Sequence, residues 1–267
     1  MTDIDAKYSQ LGGASSFLGQ PTSEEEACVD GTGRCRHYQG GSVYWHPYIG
    51  AREVNGAIHW HWSSQGKEAG PLGYPMSDQL RTPGGGRYSI FEGGVVYWKP
   101  GAEAAVAVSL DIPQSTVVQA IDDEVKKVIE KTPLRCTTPT KVADVHHWYA
   151  YAGKHHYRVL ELAFDMVAEL KMTALYPDVD LRLYFSFEAR DGNVVVTLLR
   201  ENHSVSSAKW KEWLAMGFQE MVHNLVDREL VEQLGKAIGR SVTIPAGANL
   251  LAAQLQDDAA LRLYFGD

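Results

Sequence analysis

The chain has 267 residues, 45% of them apolar, and a formal net charge of −8. That length holds one large or two ordinary domains, and the apolar share is normal for a protein that buries a core. Without a cluster of Lys or Arg, the acidic balance argues against nucleic acid and anionic membrane surfaces as electrostatic partners, and no apolar run is long enough to span a membrane.

The N-terminus, MTDIDAKYSQLGG, lacks the charged start, apolar stretch and small-residue cleavage site of a signal peptide. The expectation is a cytoplasmic chain or one released by a non-classical route. Ile4 and Tyr8 are four apart and share one face of a short helical turn. Leu18-Gly19-Gln20-Pro21 reads as a turn with a buried Leu. Cys28 and Cys35 flank VDGTGR, a tight-turn sequence. They either face each other across a small hairpin and pair in an oxidising compartment, or stay reduced. With Cys136 they number three, too few for a disulfide framework. In the strand that follows, Val43 and Trp45 point one way and Tyr44 the other, so one face is expected to be core and the other more open.

The pattern then recurs. Ile4 and Tyr8 return as Ile58 and Trp62, Gly12 as Gly66, and Leu18-Gly19-x-Pro21 as Leu72-Gly73-x-Pro75, all 54 residues on. One residue is lost, and GTGRCRHYQGGSVYWHP (31–47) continues as GGGRYSIFEGGVVYWKP (84–100). A fixed period of this length marks a repeat architecture. Residues 1–109 also hold 18 of the 25 glycines and four of the seven tryptophans, which puts a domain boundary near 104–113. The units resemble LGFP repeats, through the Leu-Gly-x-Pro phrase, the aromatic-x-Gly-Gly-x-Val-Tyr-Trp stretch and the VNGAIHWHW link (54–62). The resemblance covers about residues 4–103, as units of about 4–57 and 58–109, with Gln20 and Tyr74 at the Phe position. It implies a binding module of the bacterial cell envelope that attaches to cell-wall glycan, often beside hydrolase or acyl-transferase domains.

Differences between the copies direct the search for a site. His59, Trp60 and His61 replace Asp5, Ala6 and Lys7, so the repeat does not require them. Trp60 lies off the Ile58–Trp62 face. It is either a surface platform for a sugar ring or a cover for the second domain. Trp45 and Trp98 are stacking candidates if their face is open. Gln39 and Glu92, at matched positions, are candidate hydroxyl acceptors, and Tyr74 completes the carbohydrate-binding set. His59 and His61, flanking Trp60, are candidate carbohydrate contacts as well, and as a pair they lack further ligands for a metal. Two copies are fewer than a repeat array usually needs, so either the second domain caps them or chains associate as a homo-oligomer.

After Pro113, residues 114–131 make an amphipathic helix with Val117, Val118, Ile121, Val125, Val128 and Ile129 as its stripe. Residues 155–172 carry both periods, apolar at even positions and acidic at every fourth, and are assigned to a strand. Residues 180–202 form a hairpin turning at Asp191-Gly192, and Ser207 caps a further helix. LRLYF (261–265) is a closing strand. The fold class is therefore a small, mainly-β, Gly- and aromatic-rich repeat domain followed by an α+β domain (110–267) with an antiparallel sheet and helices. His146, His147, His155 and His156 sit too far apart along a hairpin, roughly 13–16 Å, to share one ion. No nucleophile-elbow, zincin, phosphate-loop or Cys-x-x-Cys motif occurs, so no cofactor or catalytic set is assigned. The leading expectation is a glycan-binding, lectin-like protein. The alternatives are a lipid- or membrane-interacting effector with a glycan-targeting module, and a wall-targeted hydrolase or transferase.

Overall fold

The computed structural model describes residues 1–132, 134–150, 155–168, 178–206 and 241–266. The first repeat opens with helix α1 (Asp3–Gln10), started by a reciprocal cap. The Thr2 hydroxyl accepts from the Asp5 N–H, and the Asp5 carboxylate accepts from the Thr2 N–H. Four antiparallel strands follow as a meander: β1 (Glu26–Ala27), β2 (Arg34–Tyr38), β3 (Gly41–His46) and β4 (Gly50–Asn55). The second repeat has the same parts: α2 (Gly56–Ser64), β5 (Leu80–Arg81), β6 (Arg87–Phe91), β7 (Gly94–Trp98) and β8 (Ala105–Val106).

The two units stack. On one face of the first sheet, Val43 and Tyr38 pack with Ile4 and Leu18, and Trp45 lies against them. On the other face, Tyr44 and Cys35 pack with Ile58 and Trp62 of α2. Val43 and Tyr44 are therefore both buried, which corrects the expectation of one open face. The helix of the next unit covers the face that a single repeat would leave bare. That same helix buries Ile58 and Trp62 against Phe91, Val96 and Leu72 of its own unit. The outer face of the second sheet, with Val95, Tyr88, Ile90 and Tyr97, is covered by Leu251, Ala252 and Tyr264 from the C-terminal region.

The chain passes between regions without a linker. Val106 ends β8, the Ala107 N–H donates to the Val95 carbonyl at 2.8 Å, and β9 (Val108–Ile112) begins at once. After it come α3 (Gln114–Ile129), β10 (Leu134–Cys136), β11 (Lys141–Ala150), β12 (His155–Ala168), β13 (Asp178–Arg190), β14 (Asn193–Ser206), β15 (Ser241–Pro245), β16 (Leu250–Leu255) and β17 (Leu261–Phe265). β10 to β15 form a six-stranded antiparallel sheet, and β9 joins β17 and β16 in a three-stranded one.

Val117, Ile121, Val125 and Ile129 of α3 fill the apolar face of the large sheet, against Leu160, Leu162, Phe164, Leu181 and Leu183. The alternating strands thus serve an α+β core, as the sequence pattern implied. Residues 155–168 are strand; the last four residues of that assigned segment lie outside the described residues, as does the Ser207 helix. The β13–β14 hairpin turns at Asp191 and Gly192, with φ of 52° and 73°, the left-handed pair that matches strand twist. Among the described residues no helix is long and apolar enough to cross a membrane.

Candidate functional site

The Leu-Gly-x-Pro phrase is one half of an interlocked turn. Gly40 N–H donates to the Leu18 carbonyl at 2.8 Å and Gln39 N–H to the Gln20 carbonyl at 3.1 Å. The second copy repeats both bonds, from Gly93 to Leu72 at 2.9 Å and from Glu92 to Tyr74 at 3.1 Å. Gly19 and Gly73 take positive φ of 69° and 65°, which glycine adopts without steric cost. The helix locks the turn from above. Tyr8 Oη donates to the Gly19 carbonyl at 2.7 Å, and Trp62 Nε1 donates to the Gly73 carbonyl at 3.0 Å. Tyr and Trp thus interchange between copies because each brings a ring and a donor to the same carbonyl.

Three of the candidate sugar contacts belong to this scaffold. Gln39 Oε1 accepts from the Gln20 N–H at 3.0 Å, and Glu92 Oε2 from the Tyr74 N–H at 2.9 Å. These oxygens hold the turn, which corrects their reading as free hydroxyl acceptors. Tyr74 is buried. Its ring packs 5.1 Å from that of His46, and its hydroxyl end lies over the backbone of Gly33 in the preceding unit. The x position of Leu-Gly-x-Pro is therefore the contact between units. In the first unit the residue there is Gln20, and it is exposed.

The tryptophans fare differently. Trp45 is half-buried on the α1 face. There it lines an open pocket of about 410 Å³ with Ile4, Ala6, Glu25 and Arg34. Arg34 Nε pairs with Glu25 Oε1 at 3.1 Å, so an indole and a polar pair share one hollow. The corresponding residues of the second unit are Trp98 for Trp45, Arg87 for Arg34, Gln79 for Glu25, and Trp60 for Ala6. Trp98 packs partly buried against the core, while Trp60 is 77% exposed on α2. Trp60 thus stands free of both repeat cores. His61 turns to Gln65, ring nitrogen to amide at 3.0 Å.

His59 leads into a polar row that sequence reasoning passed over. Its Nε2 lies 3.1 Å from Ser42 Oγ, Ser42 Oγ lies 2.8 Å from His37 Nδ1, and His37 Nε2 lies 3.3 Å from Glu26 Oε1. Burial pushes the His59 imidazole down to about 4, helped by His37 and Lys67. Cys28 and Cys35 are buried free thiols. Their mutual hydrogen bond pushes Cys35 down and Cys28 up, with His37 adding to the fall at Cys35. The order Ser–His–carboxylate suggests a nucleophile, but Ser42 is 1% exposed, sealed beneath α2 where no substrate reaches it. The signal in the sequence was the comparison between copies. Glu26, Cys28, Cys35, His37 and Ser42 correspond to Leu80, Thr82, Tyr88, Ile90 and Val95.

The four histidines of the large sheet are spread along one ladder. His146 pairs with Val159 and His155 with Ala150, four rungs away or about 13 Å. His147 and His156 are closer than expected, two rungs or about 7 Å apart, because the hairpin register sets His156 opposite Tyr149. His146 Nε2 is taken by the Glu161 carboxylate.

The LGFP repeat family matches residues 18–70 and 72–114, so the N-terminal region of this chain consists of two LGFP repeats. The family's frame opens on the Leu-Gly-x-Pro turn, whereas the packed unit begins one helix earlier. No curated protein matches the chain.

Proposed function

We propose that the repeat region binds carbohydrate of a cell envelope, with Trp60 as the stacking platform and the Trp45 pocket as a second contact. The observation that carries this reading is Trp60: a large ring, 77% exposed, at a position where the other copy has Ala6. A bare indole costs solvation, and the repeat fold does not need it. A sugar ring offers C–H groups to the π-face and hydroxyls to neighbouring polar groups. Beside Trp45 the Arg34–Glu25 pair presents donors and acceptors of that kind. The LGFP match supports the same setting, an envelope glycan, as its source.

The C-terminal region acts as the cap that two repeats need. Leu251, Ala252 and Tyr264 cover the sheet face that a third repeat would otherwise cover. The reason for expecting a homo-oligomer, an uncovered repeat face, is therefore met within the chain at this end.

The test is retention on a glycan array and on insoluble cell-wall glycan. Intact protein is expected to bind, and Trp60→Ala to lose at least tenfold in affinity while its melting temperature stays within about a degree, since an exposed ring makes little packing. Silence of the intact protein on every glycan overturns the reading, and full binding by Trp60→Ala removes Trp60 from it.

A further inference from the structure

We propose that Glu26, Cys35 and His37 form a binding site for a thiophilic divalent cation such as zinc. The strand register builds it. Glu26 stands directly opposite Cys35 in the β1–β2 ladder. His37 is two residues beyond Cys35 on the same face. The three ligand atoms, a carboxylate oxygen, a thiol sulfur and an imidazole nitrogen, all lie within 4.8 Å of one another. Glu26 Oε1 is 3.3 Å from His37 Nε2 and 4.0 Å from Cys35 Sγ. A tetrahedral ion with bonds of about 2.0 Å to nitrogen and about 2.3 Å to sulfur sets its ligands about 3.3–3.8 Å apart. The trio is therefore close to the right size without rearrangement of the backbone.

Two further observations point the same way. His37 is held by its other nitrogen, for Nδ1 lies 2.8 Å from Ser42 Oγ, which His59 Nε2 contacts in turn at 3.1 Å. A metal-binding histidine is characteristically oriented through its second nitrogen in this way. Neither the three ligands nor this support is required by the fold, because the second repeat has Leu80, Tyr88, Ile90 and Val95 in their places. Cys35 is buried while Glu26 is 57% exposed at its side chain. An ion would enter from the Glu26 side and keep a fourth position for water. Cys28 stays outside the ligand set, as the neighbour whose thiol bonds to Cys35.

The experiment uses the full chain, stripped with a chelator, reduced with a phosphine and titrated with cobalt(II), then zinc(II). Cobalt is expected to produce a thiolate-to-metal charge-transfer band and four-coordinate ligand-field bands, saturating at one ion per chain and bleached by zinc. Cys28→Ser, which cannot form a disulfide with Cys35, keeps the bands. Cys35→Ser abolishes the charge-transfer band. His37→Gln and Glu26→Gln each weaken binding at least about tenfold, and Ser42→Ala about tenfold through the imidazole orientation. Absence of the bands from reduced wild type overturns the proposal. So does survival of the charge-transfer band in Cys35→Ser, wild-type cobalt affinity in His37→Gln, or loss of the bands in a folded Cys28→Ser. X-ray absorption of zinc-loaded wild type needs no variant: one sulfur ligand supports the site, and none or two refutes it.

Discussion

The two repeats share a backbone and differ in what lies on their outward sheet faces. In the second, Tyr88, Ile90, Val95 and Tyr97 make an apolar face against Leu251, Ala252 and Tyr264. In the first, Cys35, His37, Ser42 and Tyr44 occupy the same positions beneath α2. The helix side is the same in both: an aromatic donor on the Gly carbonyl, a Leu in the core, and a Gln or Glu oxygen on the turn. The inner side of each sheet therefore carries the repeat, and the outer side carries whatever its neighbour requires. A polar row is tolerated in the first unit because its members satisfy one another, which buried polar groups must do.

The largest test of that equivalence is at the glycines of the turn. A Cβ at Gly93 would sit 2.1 Å from the Pro71 carbonyl oxygen, and one at Gly40 would sit 2.1 Å from that of Phe17. Backbone oxygens at that range cannot yield cheaply, so Gly93→Ala and Gly40→Ala should each cost roughly 3 kcal/mol or more in urea unfolding. A gap between them of more than about 1 kcal/mol would mean that the two turns are not equivalent.

Next come the aromatic donors. Trp62 is fully buried, so Trp62→Phe leaves both a void and an unpaired carbonyl at Gly73, at a cost of roughly 2–3 kcal/mol. Tyr8 is only half-buried, so water can reach the Gly19 carbonyl in Tyr8→Phe, and the loss should be about 1 kcal/mol. Equal losses would show that the stack buries its first unit as fully as its second.

The smallest effect is in pH. His59 titrates near 4 in the fold against an ordinary 6.5. The unfolded chain therefore binds its proton first as the pH falls. The stabilising contribution is complete above about 6.5 and is lost on the way down to 4. His37, Lys67 and the Ser42 hydroxyl face it. His37, pushed up mainly by its hydrogen bond with Cys35, contributes with the opposite sign. The difference between wild type and His59→Asn isolates the His59 part, on the order of 1 kcal/mol after discount for its partial exposure. At the corresponding position Asp5, held below its usual 3.8 by the Thr2 backbone N–H, loses its contribution only at lower pH. A wild-type curve that is flat from pH 6.5 to 4 relative to His59→Asn would remove the buried histidine from the comparison.

The sequence by itself determined the repeat, its period and the α+β character of the C-terminal region. Each follows from local chemistry: periodic apolar positions, glycines where φ is positive, and Asp191-Gly192 at a hairpin turn. It also marked Trp60 as a residue that the repeat does not need. Only the tertiary structure decided which faces are covered. Tyr74 went inward because the preceding unit offers the bare backbone of Gly33, and Gln39 and Glu92 became turn residues because Gly19 and Gly73 bring backbone N–H groups to them. Strand register brought Glu26, Cys35 and His37 together, and Ser42 met His59 across the junction between units. Those contacts join residues 9 to 19 apart or in different repeats. No local pattern encodes them, since they depend on how one unit packs against the next.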